Sequence, residues 1–566
     1  MKRLLLLLPL SIAAVVAILP AQPDKLSVVE KSIPEMRAAM EQGKITSREL
    51  VTQYLARIAM YEDVLHAAIT VNPDALKIAD ERDRERAAGR IRGPLHGIPV
   101  ALKDNIQTTE MPTSGGALAF EGYTPPYEAT LTKNLKDAGA IIIAKATLTE
   151  LANWVAGAPM PMPGNYNAVR LWAMNPYDPR RDPRPGFDDG RPVMQTGGSS
   201  SGVGTAANFW AANVGTETSG SILSPSNQNM LAGIKPTVGR ISRYGVIPIT
   251  ADQDTAGPMA KFVSDAAIML GAMEGAQPDP NDDATKRCTA PPNRDYTRFL
   301  NPNGLKGARI GIPRAFYYDK VAVPGQSGTR GGLSPEAAKL MAEVIDILKK
   351  QGAVIVDPAD IPSVLAKRVE DNLLLFNPCS GATEGRAHDA DCSVVFKYGM
   401  KRDFNKWLAT LGPSAPVKSL TELREWNITH TKQGAIRYGQ SNLDISDEMD
   451  LNADRQRYET DRARDIALAG THGIDQAMKQ NNLDALLFPA AGSAAIAAKP
   501  GYPTVIVPFG FTPNAPTPAI PAPFAAKPAP FGVGFTGMAC SEPKLIELGY
   551  AFEQATKRRV APPAVP

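Results

Sequence analysis

Apolar and polar positions alternate between two periods along this chain. Thr46-Ser47-Arg48-Glu49 has the form of a capping box. Leu50, Val51, Tyr54, Leu55 and Ile58 follow at helical spacing, so the pattern predicts an amphipathic helix. Residues 98–102 are continuously apolar and read as a buried strand, with Pro99 compatible with its start. Residues 131–138 read as a helix that Gly139 ends, and 141–144 as a strand. Thr147-Leu148-Thr149-Glu150 predicts a second capped helix.

The same rhythm continues. It gives strands at 308–312 and 353–356 around a helix at 334–351. Strands follow at 483–488, 504–509 and 532–535, and a last helix at 542–556. Strands alternating with helices predict an α/β fold: a large mixed, mostly parallel β-sheet covered by helices on both faces. Two stretches interrupt the rhythm and read as insertions running over the surface. Residues 161–196 are rich in Pro, Asp and Arg, and residues 513–530 hold seven prolines. No internal repeat is present, so 22–566 read as a single domain.

The N-terminus follows a different rule. Lys2 and Arg3 precede an apolar run over 4–19, then Pro20, Ala21 and Gln22. That order matches a secretory signal over 1–21, predicting an exported, periplasmic or extracellular protein. An uncleaved N-terminal anchor is the other reading. No cysteine follows the run, which argues against a lipoprotein. No later segment is long and apolar enough to span a bilayer, so no stable membrane association is expected once the signal is removed.

Composition narrows the classes. The 566 residues carry 61 Lys+Arg against 58 Asp+Glu, a net charge of +3, with 43% apolar residues. That is globular composition without the basic footprint of a nucleic-acid binder. The sequence carries no signal of oligomeric state. Cys288, Cys379, Cys392 and Cys540 form no C-x-x-C pair, which excludes the usual zinc and thioredoxin-like readings. An oxidising compartment permits disulfides. Pairing of Cys379 with Cys392 is one reading and four unpaired thiols the other.

Three segments carry candidate chemistry. In Gly97-Ile98-Pro99-Val100-Ala101-Leu102-Lys103-Asp104-Asn105, a lysine ends an apolar strand. A buried ammonium is costly, and burial lowers a lysine pKa toward that of a general base. A strand-end lysine reaching solvent is the simpler alternative. Gly197-Gly198-Ser199-Ser200-Ser201-Gly202 reads by itself as a loop ahead of a helix. Gly215-Thr216-Glu217-Thr218-Ser219-Gly220-Ser221 has small residues that let successive N–H groups converge on one oxyanion, with Ser221 as nucleophile. A tight strand-to-helix turn would look the same.

Their order resembles the amidase signature family of serine hydrolases. The resemblance extends through Gly93-Pro94-Leu95-His96, Asn175-Pro176-Tyr177-Asp178-Pro179, Gly-Ile-Lys-Pro-Thr-Val-Gly-Arg at 233–240 and Ser242-Arg243-Tyr244-Gly245. It continues through Asp252-Gln253-Asp254-Thr255-Ala256-Gly257-Pro258-Met259 and Ala551-Phe552-Glu553-Gln554-Ala555-Thr556. It implies an amidase that cleaves carboxamide C–N bonds through a Ser-cisSer-Lys triad and an acyl-enzyme, releasing ammonia or an amine, with no metal or cofactor. Carried over, Ser221 is the nucleophile, Lys103 the base and Ser199 the bridging serine. Backbone N–H groups of Thr218, Ser219, Gly220 and Ser221 form the oxyanion site. Ala152 falls beside the acyl pocket and Trp154 lines it as well, a core or interface role being the other reading for either.

Ser199 lies 22 residues before Ser221, about two fewer than the family pattern. That makes Ser200 the alternative bridging serine. It predicts a rebuilt helix start within 202–208 with the triad intact, a damaged site being the other outcome. The Thr-Glu-Thr turn and the Gln-Asp-Thr-Ala-Gly-Pro-Met run look most like peptide amidases, which remove C-terminal carboxamides. A general acylamidase or esterase, a non-catalytic family member and the ammonia-releasing subunit of a tRNA amidotransferase are the alternatives within the family.

Two other motifs compete. Gly198-Ser199-Ser200-Ser201-Gly202 fits the G-x-S-x-G elbow of an α/β-hydrolase, with Ser200 as nucleophile and His430 or His472 as base. Neither histidine sits in a recognisable motif. Ser541-Glu542-Pro543-Lys544 fits S-x-x-K, but no S-D-N or K-T-G partner follows it.

Overall fold

The computed structural model describes residues 26–198 and 202–566. The signal-like segment over 1–21 and the three serines Ser199, Ser200 and Ser201 lie outside the described residues.

The first predicted helix forms for the predicted reason. Thr46 caps Ser47–Leu65, its hydroxyl accepting from the Glu49 amide while the Glu49 carboxylate accepts from the Thr46 amide. The apolar stripe Leu50, Val51, Tyr54 and Ile58 is buried. The sheet strands in chain order are β1 (Ala68–Val71), β2 (Pro99–Lys103), β3 (Ile141–Ala146), β4 (Ala212–Glu217), β5 (Ala232–Lys235) and β6 (Thr255–Ala260). They continue with β7 (Arg309–Gly311), β8 (Val354–Val356), β9 (Ala485–Pro489), β10 (Thr504–Thr512) and β11 (Ala529–Thr536).

These 11 strands make the expected large mixed sheet, in the order β1-β3-β2-β4-β6-β5-β10-β11-β9-β7-β8. β3, β2 and β4 pair in parallel, as do β9, β7 and β8, and the strands between the two groups pair antiparallel. Alternation along β10 shows both faces covered. Val505 and Val507 pack under Gly549 of the helix Glu542–Thr556, whereas Ile506 points the other way, toward Gly233 and Gly532. Strands buried on both faces have no polar side to show, which is why 99–102 of β2 and 141–144 of β3 read as unbroken apolar runs.

Three expectations are corrected. The capped helix at 147–150 is instead a single 3₁₀ turn, Glu150–Asn153, with no side-chain cap. Leu151, Ala152 and Asn153 all have left-handed backbones, with φ of 42°, 56° and 75°. The turn runs against the sterics of an α-helix to hydrogen-bond the Leu151 amide to the Gly115 carbonyl.

The stretch 161–196 does not simply run over the surface, whereas 513–530 is exposed or half-buried along nearly its whole length, as expected. Tyr166, Trp172, Asn175, Asp182 and Arg184 of the first are buried. The two stretches also pack on each other, Arg184 Nη1 donating to the Pro518 carbonyl at 2.9 Å and Asn514 Nδ2 to the Val193 carbonyl at 3.0 Å. Proline-rich chain lacks N–H donors, so here its carbonyls are taken up by side chains of the neighbouring stretch.

The reading with four unpaired thiols is also overturned. Cys379 pairs with Cys392, and Cys288 with Cys540 across 252 residues.

Candidate active site

Parallel pairing of β2 with β4 sets Leu102 beside Val214, so Lys103 ends its strand next to the turn that follows β4. The Lys103 side chain is fully buried. Its Nζ donates to Thr216 Oγ1 at 2.9 Å and to the Thr216 carbonyl at 3.3 Å. Asn105 Nδ2 donates to the same hydroxyl at 3.0 Å. Burial brings the Lys103 pKa down to about 7, against the opposing charges of Asp254 and Glu217. The amine is therefore uncharged in a good part of the population at neutral pH.

β4 runs into the turn 218–221. Gly220 takes φ of +101°, a conformation that side-chain-bearing residues avoid. Ser221 follows, buried at 8% exposure, while Ser219 is exposed. The short helix Leu223–Gln228 begins at once. Glu217 Oε2 accepts from the amides of Ile222 and Leu223 at 2.7 and 2.9 Å, satisfying two N–H groups at that helix start. On the other side, Thr218 Oγ1 donates to Asp254 Oδ1 at 2.5 Å and Gln253 Nε2 donates to the Thr218 carbonyl at 3.1 Å.

The glycines ahead of the serine cluster reach the same place. A side chain grown on Gly198 would come within 3.5 Å of Ser221 Oγ. The Gly198 carbonyl accepts from Thr149 Oγ1 at 2.8 Å. The predicted helix start within 202–208 is present as Gly202–Ala206. The chain on both sides of Ser199–Ser201 is thus fixed, with its upstream end against Ser221.

Ala152 shares a small cavity with Asn105, Thr216, Thr218, Ile247 and Ile249. Trp154 is core: buried, its Nε1 donating to Ser446 Oγ at 3.1 Å and its ring 4.9 Å from Phe396. The histidines of the competing reading sit elsewhere. His430 stacks on Trp426 with Nδ1 on that residue's carbonyl, and His472 is exposed. Among the described residues no cluster of His, Cys, Asp or Glu is arranged to hold a metal ion.

The sequence reading missed Thr216, Asn105 and Glu217 as supports of the lysine and the turn, and did not single out Gln253 and Asp254 within their motif. An acidic residue four positions before a candidate nucleophile was the available signal for Glu217.

Comparison with known proteins finds relatives over nearly the whole chain. A family model described as Amidase matches residues 49–546. A probable amidase of Arabidopsis thaliana is 32% identical over 98% of this chain and 97% of its own length. Among solved structures, a peptide amidase in complex with the competitive inhibitor chymostatin is 35% identical with a TM-score of 0.78, covering 95% of this chain and 100% of that one. The native peptide amidase of Stenotrophomonas maltophilia, also 35% identical, has a TM-score of 0.76 and covers 96% of this chain and 99% of its own.

Fold, site and relatives together define a hydrolase acting on amides. The chain belongs to the amidase family.

Proposed function

We propose that this amidase cleaves terminal carboxamides by a relay from Ser221 through Ser199 to Lys103, and that C-terminally amidated peptides are its substrate class. One observation carries the reading: a buried lysine is fastened to the strand that delivers Ser221, and the chain leading into the serine cluster lies against the Ser221 hydroxyl. The two solved peptide amidases, each 35% identical over nearly the whole chain, support the substrate class.

Ser221 Oγ attacks the carbonyl carbon while its proton passes by way of Ser199 to the Lys103 amine. Ser200 takes the bridging place if the shortened spacing shifts the register by one. N–H groups of the turn 218–221 stabilise the oxyanion as it develops, Gly220's left-handed backbone turning the chain for them. Lys103 returns the proton through the relay to the departing nitrogen, so ammonia leaves and an acyl-serine remains. Water then attacks the ester by the same route, regenerating Ser221 and releasing the carboxylic acid. The relay uses side chains and backbone alone.

We further read residues 22–566 as one domain, because a single sheet takes strands from Ala68 through Thr536. The reading of export is supported by the two disulfides, which use all four cysteines of the chain.

The test is ammonia release from amidated di- and tripeptides set against short aliphatic and aromatic amides, with fluorophosphonate labelling mapped by mass spectrometry. Label on Ser221 and preference for the peptides are expected. Turnover of the small amides alone would point to a general acylamidase, and a folded protein that turns over neither and takes no label would overturn the reading.

A further inference from the structure

Asp254, like Glu217, is held by neutral donors alone. Its two oxygens go to a hydroxyl and an amide, Thr218 Oγ1 at 2.5 Å and the Ile249 amide at 2.9 Å, not to a guanidinium. The nearest guanidinium by charge, Arg243, is held bidentately by Asp282, its Nε 2.8 Å from Oδ2 and its Nη2 2.5 Å from Oδ1. Burying a carboxylate on neutral donors alone is costly. Its neighbour Gln253 grips the carbonyl of the same threonine. Thr218 is therefore held by both its side chain and its backbone, from two consecutive residues at the entrance to β6.

Resting on the reading of Ser221 as nucleophile and Lys103 as base, we propose that Asp254, with Gln253, is a positioning residue for amide hydrolysis: the pair clamps Thr218, fixes the turn that carries the oxyanion donors and Ser221, and sets a carboxylate in the cavity that Thr216, the partner of Lys103, also lines.

The charge has a consequence separate from the clamp. Lys103 faces two acidic groups, Asp254 and Glu217. Asp254 itself faces Lys103, the attractive Arg243 and the repulsive Asp403, and burial pushes its own pKa up to about 7. Above that pH the carboxylate favours the ammonium form of Lys103. Removing its charge lets Lys103 give up its proton at a lower pH, so the acid limb of activity moves down.

The test follows ammonia release from an amidated dipeptide, with kcat and KM measured separately across pH. Asp254→Asn is expected to fold, to lose about 100-fold in kcat with little change in KM, as a misplaced reacting group does, and to carry its acid limb to lower pH. Asp254→Glu restores the charge and brings the limb back while kcat stays low. Thr218→Val cuts kcat without moving the limb downward.

A folded Asp254→Asn with undiminished kcat overturns the proposal, and so does a lowered kcat with an unmoved limb, which is what general loosening gives. Should Asp254→Asn not fold, Thr218→Val decides, undiminished kcat being the overturning result. Full activity in Ser221→Ala would instead remove the nucleophile assignment beneath both readings, so the two failures are told apart.

Discussion

Lys103 Nζ lies 2.9 Å from Thr216 Oγ1, across the parallel seam between β2 and β4. The bond joins the strand that ends in Lys103 to the strand that leads into the serine turn. A shift of either strand would separate the two ends of the proposed relay.

The position of Lys103 sets a pH dependence. Its pKa of about 7 means the amine is neutral above that pH and charged below it. A charged amine accepts no proton, so kcat/KM should rise with pH through about 7 and level off above it. Lys103→Arg keeps a cation at every accessible pH and should be inactive throughout. An alkaline optimum in Lys103→Arg would show that the lysine is not the base.

The same residue trades stability for function. Its folded pKa lies below that of the unfolded chain, so between about 7 and 10.5 the unfolded state binds the extra proton and stability rises with pH. At pH 7 the buried amine is a net cost. Lys103→Met, similar in length and apolar, should therefore unfold at a higher temperature than the parent while being inactive. A lower midpoint by calorimetry at pH 7 would refute this.

What the sequence showed, and what it hid, divides by range. The run ending in Lys103 was legible because a strand buried on both faces is mostly apolar, so a terminal lysine stands out. The capping box at Thr46 was legible because both its bonds span three residues. The turn at Leu151–Ala152–Asn153 was not, since Leu and Ala disfavour a left-handed backbone and the Gly115 carbonyl that takes the Leu151 amide is distant in sequence. The grip of Asp254 on Thr218 spans 36 residues and the disulfide from Cys288 spans 252, and no local pattern reports either.

Ala152 should govern the size of the acyl group. It lies in the cavity with Ile247 and Ile249, on the strained turn. Ala152→Leu fills that space, and the expected result is a raised KM for amides with bulky acyl groups while the smallest amides keep theirs. Measuring KM along an acyl-length series checks it, and parallel behaviour of the variant and the parent along the series would move the pocket elsewhere.

The two disulfides should contribute unequally. In the chain-entropy picture the 13-residue separation of Cys379 and Cys392 is worth about 3 kcal/mol and the 252-residue separation of Cys288 and Cys540 about 5.5 kcal/mol. Replacing Cys288 and Cys540 by alanine should lower the unfolding midpoint more than replacing Cys379 and Cys392. The reverse order would mean that local packing of the 379–392 loop, and not loop closure, dominates.

Next to Lys103, Asp104 and Lys145 form a wholly buried ion pair at 3.0 Å. Asp104 Oδ2 also accepts from the Ser114 amide and hydroxyl, at 2.9 and 2.5 Å. Removing one partner leaves the other charge buried without compensation, a loss of about 3–5 kcal/mol. Lys145→Met alone should therefore destabilise strongly. Adding Asp104→Asn should recover part of the loss, because an amide bears no charge and still offers Ser114 an acceptor. Denaturant unfolding of the two single variants and the double variant completes a cycle in which the double is less damaged than the sum of the singles. Strict additivity would mean that the two charges do not depend on each other, and the strand end at Lys103 would then owe its placement to the backbone ladder alone.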